Sequence, residues 1–374
     1  MNEHVSRQVV VLCSGFGLGF YIPGVLVSEK LRRMGVRTTV EVFESLLQES
    51  KLAMVEKNRQ AYHQSFRVAL TSQKVPGDTR DSLDPTVVRL LLDQWRKGDC
   101  RHFICLSGHW VHVLDMYRQQ LSDGSIRADL LYVDADLSPS WRWLRQLKPD
   151  YADAYREVRL YDSTPQYGID TNMGVPEPYE TRERRLVVHG GGWGIGTFQQ
   201  RVPDIEAAGY NLDVVCYATA EALAGFPRRR YFMDDPRWRA WHRDDTGELG
   251  LPPFGEVDPQ SQSGRFTPQR GCQGLHRLIR GALGIVSKPG AGTLIDSFAS
   301  ATPLILLEPF GPNEERNADV WRTAGFGVPY AVWADAGFPT SMMRDLQRNL
   351  LAARSAGHVK DYAQDYAATV LTTH

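Results

Sequence analysis

Residues 287–297 read SKPGAGTLIDS: a lysine, a proline, three small residues, then a threonine and an aspartate within an apolar run. Chain this bare, set directly before a helix, leaves the first amides of that helix open to a ligand, and the helix dipole favours a negative one. Amides around Gly290, Ala291, Gly292 and Thr293 suit a phosphate or diphosphate, to which Lys288 adds a point charge. The same letters also spell a T-x-x-D variant of the capping box, with Thr293 and Asp296 closing the helix start and Lys288 in solvent. Both readings stand at this level.

Other chemistry-bearing residues fall where strands end. His109, in LSGHW, is a histidine of near-neutral pKa facing the expected cleft and is the first candidate for a general base, while His112 shares its helix. Asp134 and Asp136, in YVDADLS, occupy a comparable strand end, and Asp136 is taken with His109 as the catalytic pair. Glu44 is a weaker choice, and His189, before GGGWG, either contacts phosphate or is a satisfied core residue. Neither glycine cluster, at 15–19 or 192–196, has the G-x-G-x-x-G spacing, which disfavours a nicotinamide enzyme. There is no G-x-x-x-x-G-K-[ST] and no G-x-S-x-G.

The elements that must hold these residues alternate. QVVVLCSGFGLGFYIPGVLVSEKLRRMGVRTTVEVFE reads as strand, glycine-rich turn, amphipathic helix, Gly35 stop and strand. A polar, helix-prone stretch follows at 46–75, then a helix begun by Asp84 as cap and Pro85 as first helical residue. RHFICLSGHW and ADLLYVDADL read as buried strands. The Pro- and Gly-rich stretch 163–183 is the best linker, after which RRLVVHGGGWGIG repeats the opening theme. Residues 227–270 lack periodicity and read as a long loop, in which the basic and aromatic run PRRRYFMDDPRWRAWHRDD is interrupted by acids. From 275 the alternation resumes, with PFGPNEERN read as a loop, and 340–374 is helical.

The chain has 374 residues, which suits two domains of ordinary size. The 43 Lys and Arg nearly balance the 44 Asp and Glu, so a nucleic-acid partner is not expected. Five scattered cysteines, none in C-x-x-C, indicate neither disulfides nor a zinc site, and with no membrane-length apolar run a cytoplasmic protein is expected.

The stretch ALGIVSKPGAGTLIDSFASATPLILLEPFGPNEERNADVW resembles the donor-binding region of GT-B glycosyltransferases. It is nearest to the monogalactosyldiacylglycerol synthases and the lipid II-forming N-acetylglucosaminyltransferase, and RLVVHGGGWGIG resembles the start of that group's C-terminal domain. The resemblance implies an α/β GT-B fold of two Rossmann-like, doubly wound parallel-sheet domains facing a cleft. Residues 1–175 would form the acceptor-side domain and 183–335 the nucleotide-sugar domain, with helices of 336–374 packing back across the cleft. It implies that Gly290 to Thr293, with Lys288, hold the donor diphosphate beside Gly191 and Gly192, and that Asp296 binds the ribose. It places Glu314 and Asn317 beside the sugar and the backbone near Cys272 against the base. Asp296 and Glu314 replace the group's usual Glu and Gln. On the acceptor side, with Gly17, Gly19 and Trp110, the resemblance sets Phe20 where the group carries a histidine, so the base must come from elsewhere.

The function implied is inverting transfer of a sugar from a UDP-type donor to a hydroxyl or amine of a soluble small molecule, in secondary metabolism. No cofactor and no obligatory metal are expected. A sugar-nucleotide 2-epimerase and a non-catalytic nucleotide-binding relative are the alternatives.

Overall fold

The structure is a computed structural model and describes residues 8–73, 78–244 and 246–371. It opens with β1 (Gln8–Cys13), whose QVVVLC is buried along nearly its whole length, as a central strand of a parallel sheet must be. α1 (Tyr21–Arg33) turns Ile22, Val25 and Leu26 inward and gathers Lys30, Arg32 and Arg33 in its last turn, where cations meet the carbonyl end of the dipole. Gly35, at φ +83°, lets the chain reverse into β2 (Arg37–Val42).

Two helices, α2 (Glu49–Gln64) and α3 (Phe66–Ser72), then leave the sheet. α4 (Pro85–Lys97) starts where Asp84 accepts from the amides of Thr86 (2.8 Å) and Val87 (3.2 Å). There follow β3 (His102–Cys105), α5 (His109–Gln120), β4 (Arg127–Tyr132), α6 (Pro139–Leu147) and β5 (Arg156–Arg159). The strands, all parallel, lie in the order 2-1-3-4-5.

The segment read as a linker carries β6 (Tyr167–Gly168) and ends in Arg182. A second sheet then builds on β7 (Glu183–Val188), followed by α7 (Val202–Ala207), β8 (Asn211–Val215) and β9 (Arg229–Asp234). The region expected to be an irregular loop holds an antiparallel extension instead: β10 (Leu251–Asp258), β11 (Ser263–Gly264) and β12 (Thr267–Gln269). Its arginines are not a basic patch, since Arg229 pairs with Glu206 (2.6 Å) and Arg230 with Asp213 (2.8 Å).

Parallel pairing resumes with α8 (Gly274–Gly281), β13 (Ala282–Ser287), α9 (Ala291–Ser300), β14 (Leu304–Leu306), α10 (Pro312–Thr323) and β15 (Gly327–Pro329). α11 (Tyr330–Asp335) and α12 (Thr340–Ser355) complete this lobe. The six parallel strands run in the order 9-8-7-13-14-15. α10 begins at Pro312, inside the stretch expected to be a loop. Pro at the first helical position, with Glu314 and Glu315 in the first turn, starts a helix well, so Glu314 and Asn317 are helical residues.

β16 (Lys360–Asp361) pairs with β6, and α13 (Tyr362–Tyr366) returns to the first lobe, where the Tyr362 hydroxyl donates to Asp129 of β4 (2.9 Å). Arg182, 7% exposed, donates to the carbonyls of Glu177, Ala282 and Ser300 and to Thr302 Oγ1, at 2.7–3.1 Å. Burial pulls its pKa down to about 10, and its guanidinium caps the carbonyl end of α9. No helix among the described residues is long and apolar enough to cross a membrane.

Candidate functional site

In each sheet the strand order reverses once, between β1 and β3 in the first lobe and between β7 and β13 in the second. Ligands of open α/β sheets bind outside the carboxyl ends of the strands at that reversal. Segments from both reversals meet at a cleft of about 630 Å³, lined by Gly17, Gly19 and Ser107 from one lobe and Gly191, Lys288 and Gly290 from the other.

On the second-lobe wall, Gly290 is the N-cap residue of α9 and no side chain caps the helix. Thr293 therefore sits inside the first turn and cannot be a cap, which removes the capping-box alternative. The amides of Ala291, Gly292 and Thr293 precede the first residue with an intrahelical partner, Leu294, which donates to Gly290 O (3.0 Å), and all three residues line the cleft.

His189, the residue after β7, lies beside them and is 2% exposed. The Gly191 amide donates to its Nδ1 (3.1 Å), so the ring proton lies on Nε2, which is buried and has no partner. Burial, then the charge of Lys288, holds the pKa at about 3, and the imidazole is a neutral donor. His189 is therefore not a satisfied core histidine: it lines the cleft with its Nε2 unpartnered.

Lys288 is not solvated: it pairs with Glu314 Oε1, whose other oxygen accepts from the Phe310 amide (2.7 Å). Asp296 Oδ1 accepts from His276 Nδ1 (2.8 Å), and His276 Nε2 meets Thr171 Oγ1 (2.9 Å), leaving Asp296 Oδ2 for the cleft that Asp296 lines. Gln273 lines the cleft, whereas Cys272, one residue earlier, is buried behind it.

The first-lobe wall differs from the sequence expectation. Asp136 is exposed, bonded to the Leu137 amide (2.7 Å) and outside the cleft lining. Asp134, two residues earlier, is 5% exposed and lines the cleft. Burial raises its pKa to about 6, against the pull of a hydrogen bond from Asn317. His109 also lines the cleft, stacked on Phe43 with centroids 5.0 Å apart and facing Thr79 Oγ1 (3.2 Å), and burial lowers its pKa to about 4. Glu44 is structural, since its carboxylate accepts from Ser14 Oγ (2.7 Å) and Gly15 N (2.8 Å) and so fixes the turn after β1. Trp110 is a core residue, fully buried, with its indole donating to Cys13 O (2.7 Å). Gly17 (φ +62°), Gly19 and Phe20 also line the cleft.

Among the contacts that join the lobes are three beside the cleft. Asn317 donates to Asp134 Oδ1 (2.7 Å) and Pro289 O (2.8 Å) and accepts from the Ala135 amide (2.7 Å), so it is an inter-lobe latch and does not line the cleft. Leu18 packs on Gly192 so closely that a Cβ there would lie 2.5 Å from Leu18 Cγ. The arm α2–α3, whose role the sequence does not reveal, lays Tyr62 and Ala69 on Trp193, Ile195 and Phe310. Its His63 bridges Gly194 O (2.8 Å) and the Glu221 carboxylate. Among the described residues no three His, Cys, Asp or Glu side chains gather as a metal-ligand set; the donors at the head of α9 suit an oxyanion.

No family model matches the chain, and no curated protein matches it by sequence. Solved structures do match it. The glycosyltransferase SnogD from Streptomyces nogalater aligns with a TM-score of 0.53 at 15% identity, over 98% of this chain and 100% of that one. MurG from Acinetobacter baumannii gives 0.54 at 10% identity over the same shares, 98% and 100%. The spinosyn rhamnosyltransferase SpnG gives 0.52 at 12%, again over 98% and 100%. The chain has the two-domain GT-B fold of these proteins.

Proposed function

We propose that this chain is an inverting glycosyltransferase that moves a sugar from a UDP-type donor to a hydroxyl or amine of a small-molecule acceptor. The observation that carries the reading is the uncapped start of α9 at the β7/β13 reversal, with the amides of Ala291, Gly292 and Thr293 free and the unpartnered Nε2–H of His189 beside them. The fold shared with SnogD and SpnG supports it.

The donor diphosphate sits on those amides, and Asp296 Oδ2 accepts from the ribose hydroxyls. Asp134 takes the acceptor proton. With a pKa of about 6 it is ionised at neutral pH and a stronger base than His109 at about 4. The acceptor oxygen or nitrogen attacks the anomeric carbon from the face opposite the diphosphate. The bond from that carbon to the phosphate oxygen breaks, its electron pair stays on the diphosphate, and the α9 amides and His189 hold the growing charge without a metal. An anion-specific site of neutral donors favours the leaving group as its charge increases.

The test is UDP release from UDP-sugars with and without cell extract. Release that requires extract supports transfer. Isomerised donor without UDP, or binding without turnover, overturns it in favour of an epimerase or a silent nucleotide binder.

A further inference from the structure

The cleft has a second wall with unmet donors, on α6, away from the head of α9. Ser138, Arg142 and Gln146 follow one another at i, i+4 spacing along this helix and all line the cleft, as does Trp143. Ser138 is the N-cap residue of α6 but caps nothing: its Oγ makes no hydrogen bond although the residue is only 2% exposed. Pro139, at the first helical position, has no N–H, so the free amides at this helix start are those of Ser140 and Trp141. Trp143 Nε1, a pure donor, is buried without a partner. Arg142 has no carboxylate partner among the described residues; it reaches only Gln73 Oε1 (3.4 Å), and the same amide group's Nε2 is held by Phe310 O (2.8 Å).

Orphaned donors, a guanidinium without a counter-ion and a helix N-terminus share one chemical preference. We propose that this wall is a second oxyanion seat and that the acceptor is a compound bearing a carboxylate or phosphate. The identification as an acceptor seat rests on the reading of α9 as the donor seat. The anion lies on the start of α6, its charge met by Arg142 and its oxygens by Ser138 Oγ–H and Trp143 Nε1–H. This leaves the acceptor's hydroxyl or amine to approach Asp134, which lies four residues before Ser138 and lines the same cleft. Arg142 thereby sets specificity and does not join the proton transfer.

The test uses the full chain and two oxyanion probes, inorganic phosphate and 4-hydroxybenzoate, with methyl 4-hydroxybenzoate as the uncharged control, followed by calorimetry. Titrations are made into protein saturated with UDP, so that the head of α9 is filled. Both charged probes bind the unaltered protein more tightly than the ester. Arg142→Met weakens them at least about ten-fold, 1.4 kcal/mol, while leaving UDP affinity and melting temperature unchanged. Arg142→Lys recovers part of the loss, and Trp143→Phe weakens binding by a smaller factor. A preference for phosphate over the benzoate, or the reverse, separates the two acceptor classes. Equal affinity of R142M and unaltered protein for both probes overturns the seat. So does tight binding of the ester. Failure of UDP to bind overturns the donor reading separately, and the R142M comparison, made then without UDP, still decides whether α6 holds an anion.

Discussion

Replacing Asp134 by asparagine separates catalysis from folding, because the same burial that makes the carboxylate a base also makes it costly. The rise from 3.8 to about 6, at 1.36 kcal/mol per unit, means that the ionised group destabilises the fold by about 3 kcal/mol. The sign follows from a folded pKa above the unfolded one: the unaltered protein is relatively favoured below about pH 4 and loses that advantage as pH climbs through about 6. The side-chain amide that Asp134→Asn introduces keeps an acceptor for Asn317 Nδ2, and Asn313, which donates to the carboxylate and whose Oδ1 is unpartnered, can turn its amide over to accept from the new hydrogens. The variant should therefore be about 3 kcal/mol more stable at pH 8, as read by urea denaturation, with the gap closing near pH 4. Turnover should fall by about 10²–10⁴ while UDP affinity holds. For the unaltered enzyme, kcat/KM should rise with pH on a limb near pH 6. D134N turnover within ten-fold of the original, or parallel stability profiles across pH, would refute the reasoning.

Three further outcomes test other parts of the structure. A Cβ at Gly292 meets nothing within 4 Å, so Gly292→Leu should fold with stability within about 1 kcal/mol of the original yet raise the UDP dissociation constant at least ten-fold in calorimetry. Arg182→Met leaves the Ala282 and Ser300 carbonyls buried without donors and should cost about 3 kcal/mol in urea denaturation, with kcat per folded molecule unchanged. Both partners of His63 are acceptors, so its ring is held doubly protonated. Burial lowers its pKa, but the bonds to Glu221 and Gly194 outweigh this and the pKa is raised. The clasp is then complete below the usual 6.5 and is lost as pH rises through the raised value. The protection factors of amides across 189–197, referenced to the intrinsic exchange rate at each pH, should fall as pH rises above 6.5, a change that H63Q abolishes.

The legible parts of the site were those written in local backbone needs. A helix whose start is Gly-Ala-Gly declares open amides, and an apolar strand followed by glycines declares a βα turn, so SKPGAGTLIDS and HGGGWG could be placed without a structure. The distinction between Asp134 and Asp136 was not legible, because it depends on where the chain leaves β4, and strand ends carry no periodic signal. PNEERN looks like a polar loop, yet the same letters are a proline-led helix start with acids in its first turn. β10 escaped notice because Pro252, Pro253 and Gly255 interrupt its alternation. Gly255 is required there, since a Cβ would lie 1.9 Å from Arg265 O. Asn317 and His63 act across the lobes, and nothing in the adjacent sequence names a partner 183 or 158 residues away.

The chain passes between the lobes twice, outward near β6 and back near β16, and these passages are hydrogen-bonded side by side. A single tether would let one lobe swing and twist freely about the other. Two adjoining tethers leave chiefly one rotation, about the line they share, so any parting of the lobes would follow an arc and not a sphere. Fewer open arrangements mean less conformational entropy lost on closing, and a ligand that touches both walls needs less binding energy to shut the cleft.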